Sequence, residues 1–531
     1  MDTQELQQVA LFEKCRTFTK AREIQAAGLY PYFKPISESE DTVVVIDGHK
    51  KIMLGSNNYL GLTHHPKVLE AASRALHRYG SGCTGSRFLN GTLDLHEQLE
   101  ASLAEFLGKE ACLVFSTGYS ANLGLIAGLV GRGETVYLDK LDHASIVDGA
   151  KLSYGETERF NHGDLAGLER RMERNGVGRG AMIVVDGVYS MEGNIADVPG
   201  LVRVGRKHGA ALALDDAHAL GVLGPNGDGT AAHFGLVDEV DIIAGTFSKS
   251  LASIGGFVAA SENVIHYLKH HSRPLIFTAS LPPANTAGVL AALQVLQNDP
   301  ERRERLWANT RHLQDGFRAL GFEIGPTQTP IVPVLIGPLE KTFLMWRRLF
   351  DAGVFTNPVA PPAVPPSQCR LRTSMMATHT FDQIDFALEQ FARIGRDLGV
   401  ISPHRCAFAR RGTDGTSSAS STCPTDSTRG TRSGSRRCVG TSRPSSHARR
   451  TRSSSTARPS TSWPSGTASW WAGSPPSAIA SITRPTATGW ASSGSSSAST
   501  TRRSPTPSSP RRRSGAARRA TTCCGARPPS R

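Results

Sequence analysis

A chain of 531 residues, 39% of them apolar, has ample material for a large buried core, and it carries no apolar run of membrane-spanning length. Its formal net charge of +14 suggests a nucleic-acid partner only until the charge is divided by position. Residues 403–531 hold 22 Arg, no Lys and two acids, whereas residues 1–402 hold 38 basic and 44 acidic residues, so the body is mildly acidic and no nucleic-acid partner is expected for it.

Residues 1–62 read as an N-terminal arm. A polar helix and YPYFKPI lead into a hairpin of Val43 to Ile46 and Ile52 to Leu54 around Asp47-Gly48. The segment GSNNYLGL (55–62), which includes Asn57, is turn-rich and is predicted to stay out of the core. A helix opens at Pro66 and stops at Gly80, with Val68, Ala72, Leu76 and Tyr79 on one face. After the glycine-punctuated loop 81–92, Leu95, Leu99 and Phe106 mark a second helix ended by Gly108.

Strand and helix patterns then alternate. ACLVF (111–115), TVYLD (135–139), AMIVVD (181–186), ALALD (211–215), DIIAG (241–245) and Phe257 to Ala260 read as buried strands. Helices are expected through 123–129 and 198–208. This order predicts an α/β large domain over 63–285, with a mostly parallel sheet covered on both faces. From 286 to 402 the pattern becomes that of a smaller α+β domain. It has helices over 284–298, 300–320, 340–352 and 381–398, strands near 331–335 and 370–373, and a proline-rich loop at 359–368.

The body's cysteines (Cys15, Cys83, Cys112, Cys369) lack disulfide or metal spacing, and the N-terminus lacks a signal peptide's apolar segment. Both features point to the cytoplasm. The tail, 403–531, is rich in Arg, Ser, Thr, Pro and Ala, yet holds four Trp and five of the nine Cys. It reads either as a disordered segment or as GC-rich coding sequence translated out of frame.

The chemistry concentrates where strands end. Lys249, in the small-residue turn between two apolar runs, would be a nucleophile able to form a Schiff base if burial lowers its pKa; the bland alternative is a solvated turn lysine. ALALDDAH (211–218) places Asp215 and His218 at a strand's carboxyl edge, where open α/β sheets bind ligands. A lysine paired with an acid for a pyridinium nitrogen is the protein's usual contribution to pyridoxal phosphate chemistry. FSTGYSAN (115–122) offers a phosphate site at Gly118 and Tyr119, on a helix start. DKLDHAS (139–145) sets His143 after another strand, as a structural residue or as a plate for a flat cofactor. Asp186 and Ser190 line the same crevice or cap the next helix, and Arg372 is either a carboxylate fork or a surface arginine. A zinc site at His143, Asp215, Asp216 and His218 has neither HxxxH nor CxxC spacing behind it, so no metal is expected.

Jointly, GSGCTGSRFLNGTLDLHEQLE, FSTGYSANLG, DKLDHASIVDG, VVDGVYSMEGNIADV, LDDAHALGVLG, GTFSKSLASIGGF and RLRTSMMATHT resemble the α-oxoamine synthases, from about residue 10 to 400. The resemblance implies the fold type I architecture of pyridoxal 5′-phosphate transferases and an obligate homodimer with shared active sites. It implies that Lys249 holds the cofactor and acts as the base at the substrate's α-carbon, that Asp215 pairs with the ring nitrogen, and that His218 and Ser190 contact the ring's phenolic oxygen. His143 would stack on the ring. Gly118, Tyr119 and Thr246 would hold the phosphate, with Thr278 contributed by the partner subunit, and Arg372 with Asn57 would meet the substrate. The implied reaction is a decarboxylative condensation of an amino acid with an acyl-CoA. GLYPYFKPI, SNNYLGLT and TNPVAPPAVPPSQCRLRTSMMATHT favour L-serine with a palmitoyl thioester, ahead of L-alanine with a pimeloyl thioester or glycine with an acetyl group. Ala219, Asn194 and Asp228 depart from the family pattern. Peripheral membrane contact is left open.

Overall fold

The computed structural model describes residues 10–176 and 179–403. Residues 404–531, and with them both readings of the tail, lie outside the described residues. Among the described residues the strands are β1 (Glu38–Glu40), β2 (Val43–Ile46), β3 (His49–Met53), β4 (Ala111–Phe115), β5 (Thr135–Asp139), β6 (Glu156–Phe160) and β7 (Ala181–Asp186). They continue with β8 (Ala211–Asp215), β9 (Ile242–Thr246), β10 (Gly256–Ala260), β11 (Ile331–Gly337), β12 (Val354–Phe355), β13 (Asn357–Val359) and β14 (Cys369–Ser374).

The apolar runs of the middle of the chain form a seven-stranded sheet in the order β4-β10-β9-β8-β7-β5-β6. Strands β9, β8, β7, β5 and β6 pair in parallel, and β10 runs antiparallel between β9 and β4. Such runs are apolar at nearly every position because both faces are covered. Ile183 and Val185 pack into one core with Leu201, Val204 and Leu168, whereas Met182 and Val184 pack into the other with Leu125, Ile126 and Ile146. The one strand of this sheet that the sequence reading missed is β6. It is an edge strand whose ETERF is mostly exposed, so it carries no apolar run to read.

The first hairpin forms as expected, with Asp47 (φ 53°) and Gly48 (φ 74°) supplying the two left-handed residues of a tight turn. It then extends into a four-stranded sheet, because β3 pairs in parallel with β12, some 300 residues later. Segment 55–62 overturns its expectation. Tyr59, Leu60 and Leu62 are fully buried, since the chain after β14 closes over them: Ser374 N–H donates to Leu54 O, and Ala377 N–H donates to Tyr59 O. The helix Pro66–Tyr79 begins and ends where predicted but turns differently. Val68 and Ala75 are buried, while Leu76 is 44% exposed.

After residue 300, helices Pro300–Leu320, Leu339–Asp351 and Phe381–Asp397 cover an antiparallel sheet ordered β11-β14-β13. Phe317, Trp346, Leu371 and Phe391 fill its interior. No helix among the described residues is long and apolar enough to cross a membrane.

Candidate active site

Parallel pairing sets the carboxyl ends of three central strands side by side. Asp186 at the end of β7 is register partner to Asp215 at the end of β8, and Asp215 to Ala244 in β9. The loops that follow enclose a cavity of about 300 Å³ lined by His143, Asp186, Ser190, Asp215, His218 and Lys249, together with Gly118, Tyr119 and Thr246. Nine residues scattered from 118 to 249 thus meet where an open α/β sheet binds ligands.

Lys249 lies on the cavity wall, and desolvation lowers its amine from 10.5 to about 8, against the opposing pull of Asp215 and Asp186. That brings the neutral, nucleophilic form within reach near neutrality. The Asp186 carboxyl is pushed well up by burial and then by Asp215. It accepts from the His143 backbone N–H at 3.0 Å.

Asp215 is fixed from two sides. Its Oδ2 accepts from Asn122 Nδ2 at 2.6 Å and its Oδ1 from Ala217 N at 3.0 Å. The same Asn122 amide donates to Ser145 Oγ at 2.9 Å, and Ser145 Oγ lies 2.7 Å from His143 Nδ1. Ser145 N–H also donates to that Nδ1, so the ring proton of His143 sits on Nε2. Burial lowers the His143 pKa, which keeps the imidazole neutral. Neither Asn122 nor Ser145 was singled out from the sequence. Asn122 stands one helical turn past Gly118, hence on the same face, and that spacing was the available signal.

His218 is buried and its pKa is driven well below the usual value, by desolvation and then by Lys249 and Arg372. Its Nδ1 is 2.7 Å from the Tyr59 hydroxyl. Burial raises that phenol to about 12, so it stays protonated, and its hydroxyl also donates to Asn57 Oδ1 at 3.4 Å. Sequence reasoning missed Tyr59, which comes from the segment predicted to be peripheral. Arg372 lies behind the cavity wall and is 4% exposed. Its Nε donates to Ser190 O at 2.6 Å, Nη2 to Asn57 Oδ1 at 2.9 Å and Nη1 to Ser374 Oγ at 3.5 Å. The Tyr59 hydroxyl is a further hydrogen-bond partner of this guanidinium.

At the other end, Thr117 caps the helix Gly118–Leu129 by accepting from Ser120 N at 2.9 Å. A Cβ at position 118 would lie 2.6 Å from Thr246 Cβ, so only glycine lets the helix start press against β9. Thr246 Oγ1 bonds Gly255 O and Ser248 Oγ, both at 2.9 Å. Thr278 is exposed and does not line this cavity. Asp216, weighed above as a metal ligand, instead accepts from Thr230 N at 2.8 Å.

The sequence signature of aminotransferase class I and II matches residues 49–391. The chain is 50% identical over 392 residues to a serine palmitoyltransferase of Sphingobacterium spiritivorum, a match spanning 74% of this chain and 98% of that protein. It is 42% identical over 379 residues to an 8-amino-7-oxononanoate synthase of Symbiobacterium thermophilum, spanning 71% and 97%. A solved SPT with PLP internal aldimine is similar at a TM-score of 0.72 and 39% identity, over 74% of this chain and all of that one. The chain belongs to the class I and II aminotransferase family, in its α-oxoamine synthase branch, and has the fold type I architecture of that family.

Proposed function

We propose that this protein condenses L-serine with palmitoyl-CoA, releasing coenzyme A and carbon dioxide and giving 3-ketosphinganine, with pyridoxal 5′-phosphate held at Lys249. The observation that carries the chemistry is the meeting of Lys249, Asp215, His143 and His218 in one cavity that opens at a helix N-terminus. The choice of serine and palmitoyl rests on the 50% identity to a serine palmitoyltransferase over nearly that protein's whole length.

The residues present fit the cofactor. Gly118 and Tyr119 open their helix and line the cavity with Thr246, so the first backbone N–H groups of that helix would cradle a phosphate dianion. An amine, an acid and two neutral imidazoles complete a donor set suited to a flat ring bearing a carbonyl, a ring nitrogen and a phenolic oxygen. When bound, pyridoxal phosphate supplies an electron sink for charge developing at the amino acid's α-carbon.

The chain's own groups would then act as follows. Lys249 would hold the cofactor through its amine, and that amine, lowered to about 8, would serve as the base for the substrate's α-proton. Asp215, held by Asn122 and Ala217, would keep a proton on the ring nitrogen. His218, whose Nδ1 lies 2.7 Å from the Tyr59 hydroxyl, would contact the phenolic oxygen, with Ser190 beside it. His143 would cover the ring, and Tyr119 would extend the phosphate cradle. Arg372, with Asn57, would meet the substrate carboxylate. We place this protein in the cytoplasm as a homodimer in which the partner's Thr278 reaches the phosphate. Support comes from the exposed Leu69, Leu76, Phe88, Leu89 and Phe277, apolar surface that a second copy would cover.

The test is a matrix of amino acids against acyl thioesters on the purified, cofactor-loaded chain, read by free thiol and carbon dioxide. Serine with palmitoyl-CoA is expected to give the fastest release. Alanine with a pimeloyl thioester as the best pair would transfer the assignment to the second relative's activity, and a keto acid without thiol release would overturn the condensation itself.

A further inference from the structure

Among the described residues, three side chains able to ligate a metal converge at one place outside the cavity: Glu169, Glu173 and His208. Glu169 and Glu173 are one turn apart on the helix Leu165–Asn175, so their carboxylates share a face. His208 is the last residue of the neighbouring helix Val198–His208, whose Gly209 turns the chain away at φ 65°. The two helices pack side by side on one face of the large sheet, through Leu168, Met172, Leu201 and Val204. One ligand atom from each of the three residues lies within 4.8 Å of the other two.

The imidazole is the unusual member. The His208 side chain is only 9% exposed, and its Nε2 has no hydrogen-bond partner. Glu169 Oε1 stands 3.9 Å away, beyond hydrogen-bond reach. A buried ring nitrogen aimed at carboxylates but bonded to nothing bears the cost of an unmade hydrogen bond. Lys207 supplies the positive charge at present. Its Nζ is 2.6 Å from Glu169 Oε1 and 3.8 Å from Glu173 Oε1, and it holds the Glu169 carboxyl below its usual range. That lysine is 57% exposed, and an ion pair so open to water is weak enough for a better cation to displace.

We propose that Glu169, Glu173 and His208 form a site for a divalent transition cation of the zinc type, which fastens the two helices together. One imidazole with two carboxylates suits such a cation, whereas calcium and magnesium favour all-oxygen shells. Tetrahedral zinc brings its ligand atoms to roughly 3.4 Å from one another, so the glutamates need to close by about 1 Å, within the reach of their rotamers. Water completes the shell. None of the three residues lines the catalytic cavity, so occupancy acts on stability and leaves turnover alone.

The experiment uses the full chain with its cofactor, freed of metal by a chelator and titrated with Co²⁺ and Zn²⁺. One equivalent is expected to bind, with the visible spectrum of four-coordinate cobalt and a Zn²⁺-dependent rise in unfolding temperature. His208→Gln and Glu173→Gln should each weaken binding at least about tenfold and remove the temperature shift, with turnover unchanged as the check on folding. Lys207→Met should tighten binding about two- to fivefold by removing the competitor. Replacing His270 in the exposed His266–His270 pair, whose rings are 4.8 Å apart, should change nothing. Saturable binding that survives His208→Gln, or the absence of saturable binding, overturns the proposal.

Discussion

The ends of the central strands and the segment from Leu54 to Leu62 serve one cavity by opposite routes. At the strand ends, an apolar run stops at a polar residue, and parallel register carries Asp186 and Asp215 to the same edge. Every step there is local except the pairing. Segment 54–62 is polar and turn-rich, yet Tyr59 is fully buried and meets His218, 159 residues away in sequence. Its burial is imposed by the chain after β14, through Ser374 and Ala377. Function is therefore easiest to read where local pattern and global position agree, and hardest where a distant element does the burying.

The most severe break of this comparison is at the strand-end side. Lys249→Ala should lower turnover by about 10⁴-fold or more, and borohydride should then leave no cofactor mass on the chain. Retained turnover would remove the strand-end site from the chemistry. On the other side, Leu60→Ala should cost about 2–5 kcal/mol in denaturant unfolding, as for any core leucine. A loss under about 0.5 kcal/mol would return segment 54–62 to the surface class.

Two substitutions test the links between the regions. Asn122→Ala leaves the Asp215 carboxylate without its 2.6 Å donor and should cost about 1.5–3 kcal/mol in cofactor affinity or turnover. Tyr59→Phe removes only the hydroxyl from His218 Nδ1 and should cost about 1 kcal/mol, with packing intact. If Tyr59→Phe proves the costlier of the two, the arm contributes more to the site than the sheet does.

Acidity sharpens the same contrast. Burial lowers Lys249 from 10.5 to about 8, so between those values the unfolded chain holds the proton that the folded chain has released. Stability of the cofactor-free protein should therefore rise from about pH 8 toward 10.5. Its rate of cofactor uptake should rise with a midpoint near pH 8, and a midpoint near 10.5 would mean that the amine is solvated. The smallest effect is expected from deleting residues 404–531. Turnover should be unchanged, because the matched relative ends its likeness within a 392-residue span.

Much of the fold was legible because buried parallel strands carry apolar residues on both faces. The edge strand β6 was not, since Glu156, Thr157 and Arg159 face water. Within the site, Lys249, Asp215, His218 and His143 were legible as polar residues at the ends of apolar runs. Arg372 was named as well, but its place behind Ser190 came only from the pairing of β14 with β11 and β13.

By itself, then, the amino-acid order determined the alternation of strands and helices, the placing of a lysine and acids at their junctions and the acidic balance of the body, because each depends on neighbours a few residues apart. Tertiary structure alone decided that Tyr59 orients His218, that Asn122 ties Asp215 to Ser145, and that His208 faces two glutamates of another helix. Those contacts join residues tens to hundreds of positions apart, and only the packing of whole elements brings their atoms within bonding range.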